Sequence, residues 1–133
     1  AEWDELCEYV AMVTNDTNHL TFGYTTTWDD VGLDLKEASA LWDTYEYMGV
    51  TYPGGGTNDV LFSAKPSGMR EFNKNFQLIN RLAIYWSSTK LLNYSGWIYP
   101  WVRRIRHRGS EIVTSTIQYF GNSGLSARCI KDD

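Results

Sequence analysis

Between Glu2 and Val13 apolar residues recur three and four positions apart. Trp3, Leu6, Val10 and Val13 would share one face of a helix, and Asp4 and Glu5 suit its positive N-terminal end. The run Asn15-Asp16-Thr17-Asn18 ends it. The period then changes. Leu20, Phe22 and Tyr24 alternate as in a strand, and Thr25 to Asp30 reads as a loop. Helical spacing returns from Leu35 to Met48, where Leu35, Ala38, Leu41, Trp42 and Tyr45 predict a second helix. Tyr52 to Asp59 holds Pro53 and three glycines and reads as a long loop. Val60 to Ala64 is a short buried segment, and Lys65 to Gln77 is irregular, punctuated by Pro66 and Gly68. Beyond Arg81 strands dominate: 82–87, 97–106, 111–119 and 125–131, with a turn at His107-Arg108-Gly109-Ser110. Neither an internal repeat nor a linker is visible. The pattern predicts one α+β domain over residues 1–133, with N-terminal helices packed on a mainly antiparallel, twisted sheet.

Composition changes this picture in one respect. A chain of 133 residues suits a single core, and a net charge of −4 is too mild to name a partner. No apolar run approaches the roughly 18 residues that a membrane helix needs, so no membrane insertion is expected. Six Trp, nine Tyr and five Phe, however, exceed what so small a core can hide. Some rings must lie at the surface, where Tyr and Trp give rigid contact area at low entropic cost.

Catalytic signals are sparse. His19 and His107 are the only histidines, and neither the zinc-protease helix motif nor the nucleophile-elbow motif is present. We therefore expect no enzyme activity and no cofactor. The run Arg103-Arg104-Ile105-Arg106-His107-Arg108 is the densest charge. It reads as a solvated hairpin tip, because nucleic acid would require a broader basic face; an acidic ligand is the remaining option. The best binding candidate is the stretch from Asn93 and Tyr94 to Arg103. On a strand Trp97, Tyr99, Trp101 and Arg103 share one face. If exposed, that face would stack on sugars or anchor a protein; if covered, it is core. Trp86 and Phe62 read as core.

Several stretches resemble one family, in order along the chain. They are Trp3 to Tyr9, Gly32-Leu-Asp-Leu-Lys36, Thr57 to Arg70, Tyr85-Trp-Ser-Ser-Thr89 and Gly124 to Asp132. Together they resemble the Fibrobacter succinogenes major paralogous domain. The family's opening strand and its Arg-Leu-Pro-Thr motif have no counterpart here. The resemblance implies a C-type lectin-like fold in a bacterial secreted or cell-surface protein, alone or as part of a larger chain or assembly. It implies a non-catalytic recognition or adhesion domain for a glycan or a protein receptor, with a structural or assembly module as the alternative. It also implies a disulfide between Cys7 on the first helix and Cys129 on the last strand; two buried free thiols are the other reading. The calcium-site tripeptides of sugar-binding C-type lectins are missing. Asp29, Asp30, Asn58 and Asp59 offer loop oxygens, but we assign no metal site to them.

Overall fold

The computed structural model describes residues 2–15, 19–22, 25–71, 73–92, 96, 98–116 and 123–127. Helix α1 (Glu2–Thr14) forms as its spacing predicts and buries Cys7, Val10 and Ala11. Trp3 and Leu6 pack beside them, whereas Val13 is exposed, so the buried stripe ends one turn earlier than expected. Asn15, in the left-handed region at φ 60°, stops the helix.

Strands β1 (His19–Phe22) and β2 (Thr25–Trp28) follow as a hairpin. Thr25 to Trp28 is thus a strand rather than a loop: its β-branched threonines suit a pleated ladder. Helix α2 (Val31–Leu35) is only five residues long and gives way to extended backbone at Lys36. The helix expected over 35–48 does not form. Its apolar spacing arises because Leu35 and Trp42 enter the core from different segments, Trp42 with its indole N–H donated to the Ala64 carbonyl at 3.2 Å. The rest of that span enters a small ribbon, β3 (Tyr45–Tyr47) and β4 (Val50–Tyr52). A second short ribbon, β5 (Met69–Arg70) and β6 (Phe76–Gln77), lies in the region read as irregular.

Strands β7 (Leu82–Leu92), β8 (Ile98–Arg106) and β9 (Ile112–Thr116) form an antiparallel meander. β2 pairs with β9, giving a five-stranded antiparallel sheet in the order β1-β2-β9-β8-β7. Residues 124–127 run beside β7 through a parallel bridge between Tyr85 and Ser126. The remainder of the strand expected over 125–131 lies outside the described residues.

The sheet has two different faces. On the inner face α1 and α2 cover Trp28, Ala83, Tyr85, Ile105 and Ile112, and this makes the main core with Val31, Leu35, Trp42 and Ala64. Trp3, Phe62 and Tyr85 form a triangle of rings with centroids 5.3–5.8 Å apart. On the outer face Leu82, Ile84 and Val102 form a smaller cluster, with Met69, Trp86 and Leu125 against it. Each fully buried aliphatic side chain here contributes ~1.5–3 kcal/mol. The fold is therefore α+β, with one main helix on a mostly antiparallel sheet.

Candidate functional site

Among the described residues the β3–β4 ribbon presents a cluster of exposed apolar side chains. Tyr45 pairs with Tyr52 and Tyr47 with Val50, so all four side chains share one face. The Tyr45 and Tyr52 rings stack, with centroids 5.4 Å apart and planes at 19°. Tyr47 is 59% exposed, and Met48 at the tip is 85% exposed. The turn is Met48-Gly49, with φ of 50° and 76°. Positive φ at both central residues matches the twist of a tight hairpin, and glycine takes it without strain. The His107 ring meets the base of the ribbon edge-on to Tyr45 at 6.2 Å. Burial lowers the pKa of His107, so the ring stays neutral at and above pH 7.

Beside the ribbon runs a groove of about 450 Å³, lined by Ser39, Trp42, Thr44 and Pro53 to Gly56. Under it lies Lys36, the largest fully buried side chain among the described residues, 1% exposed. Its ammonium donates to the Gly109 carbonyl and sits 5.3 Å from the Trp42 ring centroid. Burial lowers its pKa to about 8, opposed by the Glu111 carboxylate. A Cβ on Gly56 would collide with the Leu33 carbonyl and the Lys36 side chain, so only glycine lets the loop close over this lysine. Arg81 and Asp43 at the ribbon base cancel one another in a 2.7 Å ion pair.

The strip expected on β8 divides. Asn93, Tyr94 and Trp97 lie outside the described residues. Tyr99 and Trp101 are half-buried. Arg103 is 4% exposed, and its guanidinium donates to Asp4 of α1 at 2.7 Å. It is not presented to a ligand, because odd-numbered positions of β8 face the helix. The basic run is likewise not a hairpin tip throughout. Arg103 and Arg104 lie within the sheet, and only Arg106, His107 and Arg108 reach the turn.

Cys7 carries a free thiol, wholly buried, and Cys129 lies outside the described residues. Burial pushes the Cys7 pKa up to about 12, with Arg103 opposing. Of the loop oxygens, Asn58 is engaged internally: its amide donates to Ser63 Oγ at 3.0 Å and its carbonyl accepts the Ser63 N–H at 2.7 Å. Asp34 is nearly buried, accepts from Thr57 Oγ1 at 3.3 Å, and has its pKa raised by burial and by nearby Asp59. Among the described residues no three His, Cys, Asp or Glu side chains are grouped to hold a metal.

Residues 1–131 match the family model of the Fibrobacter succinogenes major domain. The chain belongs to that family. Comparison with curated proteins and with solved structures gave no match. In this Fibrobacter succinogenes major domain, three of the stretches that carried the resemblance contribute residues to the interior. Gly32 to Lys36 supplies Leu35 and the buried lysine, Thr57 to Arg70 supplies Phe62 and Ala64, and Tyr85 joins the inner core. The ribbon lies outside those stretches. Its signal was a two-residue turn, Met48-Gly49, between Tyr-Glu-Tyr and Val-Thr-Tyr.

Proposed function

We propose that this domain is a non-catalytic recognition or adhesion module of a bacterial surface protein, with a C-type lectin-like fold, that meets a glycan or protein receptor through the β3–β4 ribbon. The observation that carries this reading is the aromatic face of Tyr45, Tyr47, Val50 and Tyr52, held away from the core beside a groove. A rigid tyrosine face fits the apolar side of a sugar ring or a protein hot spot. The groove is within the usual size of small-ligand sites, roughly 300–1,000 Å³. Glycan-array and receptor-capture assays on wild type and on Tyr47→Ala/Tyr52→Ala test it. Tyr47 is mostly solvated, and Tyr52, 38% exposed, loses only its stack on Tyr45, so the variant should melt within ~2 kcal/mol of wild type. Binding should fall by about 1–3 kcal/mol. A folded variant with unchanged binding would refute the ribbon as the contact surface.

A second reading, an assembly module, is favoured by Phe76, Leu78 and Ile79, which are exposed in near succession on and after β6. Concentration-dependent self-association in sedimentation, abolished by Phe76→Ser, would favour it over the first.

A further inference from the structure

The outer face of the sheet carries charge that the fold does not compensate. Ile84, Arg104 and Val113 are register partners across β7, β8 and β9, with Thr27 of β2 beyond. Even-numbered positions of β8 point away from α1, so Arg104 and Arg106 stand two residues apart on this face. Arg103 on the opposite face has Asp4. Arg104 and Arg106 have no carboxylate partner among the described residues. Arg104 is half-buried, and the charge acting on it is that of Arg106, which is of like sign. The acidic residue just before β9, Glu111, is turned instead toward Gly109 and Lys36. The hydroxyl of Ser115, which neighbours Arg104 diagonally across the strands, is buried with no hydrogen-bond partner, as is Arg104 Nε.

Arg104 is half-buried while Arg106, two residues on, is exposed. A like charge so close adds to the cost of desolvating Arg104, and an anion held between the two would relieve it. Guanidinium binds carboxylate bidentately, the strongest of the ordinary charge-assisted pairs. Two arginines and one hydroxyl make a small site. A long polyanion would find no continuing basic track on a chain of net charge −4. Trp86 stands on the same face across from Val102, two residues from Arg104 along β8, and is half-buried. Indole next to unpaired guanidinium suits a sugar ring that bears a carboxylate, with ring C–H on the indole and carboxylate on the arginine.

We propose that Arg104, Arg106, Ser115 and Trp86 form a binding site for a carboxylate-bearing saccharide on the outer face of the sheet. The site uses no residue of the ribbon and does not depend on it. The probe is an oligogalacturonate, compared by calorimetry with its fully methyl-esterified, neutral form. The acidic form should bind at least ten-fold tighter, and the advantage should shrink as salt rises. Arg104→Gln/Arg106→Gln should lose at least ten-fold of that binding, while Arg108→Gln at the exposed turn should keep it. Amide shifts of the wild-type protein on titration should centre on Arg104, Arg106 and Ser115, which keeps the test open if the double variant misfolds. No binding of the acidic form, equal binding of the ester, or equal binding by a poly-glutamate peptide or a short DNA would overturn the proposal. Loss of binding in Tyr47→Ala/Tyr52→Ala, with the arginine variant unaffected, would place the saccharide on the ribbon instead and also overturn it.

Discussion

Replacing Lys36 with methionine should change how stability depends on pH more than it changes stability itself. The unfolded chain holds the lysine proton until about pH 10.5, the folded chain only until about 8. The folded pKa is therefore the lower one. Between those values the unfolded state binds more proton, so stability rises with pH there. At ~1.4 kcal/mol per pH unit the rise attributable to Lys36 reaches ~3 kcal/mol and lies wholly above pH 8. At pH 7 the substitution works in two directions. It removes the cost of burying an ammonium, but it leaves the Gly109 carbonyl without its donor, at ~1–3 kcal/mol, and removes the contact with Trp42, at ~1–2 kcal/mol. Methionine nearly conserves the volume, so no large cavity opens. The net change at pH 7 is within ~2 kcal/mol. Every other ionisable group is common to both proteins and cancels in the difference. The assay is urea denaturation of wild type and Lys36→Met at pH 7, 8, 9 and 10. The wild type should gain on the variant by ~2–3 kcal/mol from the lowest pH to the highest. A difference constant to within ~0.5 kcal/mol would refute the claim that Lys36 is a buried cation.

Asp4→Asn should cost about 1–3 kcal/mol, because it leaves the Arg103 guanidinium buried with its charge unmatched; thermal melts measure this, and Asp4→Asn/Arg103→Met should recover part of the loss. Cys7 should resist iodoacetamide at pH 8 in the folded protein and react once unfolded without reductant, because burial keeps it a thiol. Peptide mapping that finds Cys7 joined to Cys129 in unreduced material would establish the covalent staple in its place.

Helix α1 was legible because a surface helix must show its buried stripe every three to four residues, and Trp3, Leu6 and Val10 do so. The β7–β8–β9 meander was legible because its long apolar runs have a clear turn at His107 to Ser110. The span 35–48 misled because spacing alone does not tell a helix face from two residues that enter one core along separate paths. Leu35 and Trp42 did the latter, and the short Met48-Gly49 turn was the weaker but correct signal. Alternation on β8 puts Trp101 and Arg103 at positions of like parity, and the unbroken β8–β9 register keeps that parity. Which face the helix would cover is a tertiary fact, and the residue that decides it, Asp4, lies 99 positions upstream. Residues such as Lys36 escape sequence reasoning for the same reason: lysine is ordinarily solvated, and only the closing loop at Gly56 and the carbonyl of Gly109 make it an interior residue.

The pairing of β2 with β9 has a consequence for the order of assembly. Thr27 must find Val113 after an excursion that contains α2, both short ribbons, β7 and β8. The meander closes through nearer contacts and so carries less loop entropy, while the β1–β2 hairpin can join it only once that long excursion has folded back. Zippering thus runs from the β7 side toward β1, and the β2–β9 seam is the last to close and the first to open. Since α1 and α2 flank that hairpin in the chain, transient opening at the seam would expose the inner core at Trp28 and Ile112, and hydrogen exchange should proceed faster in β1 and β2 than in β8.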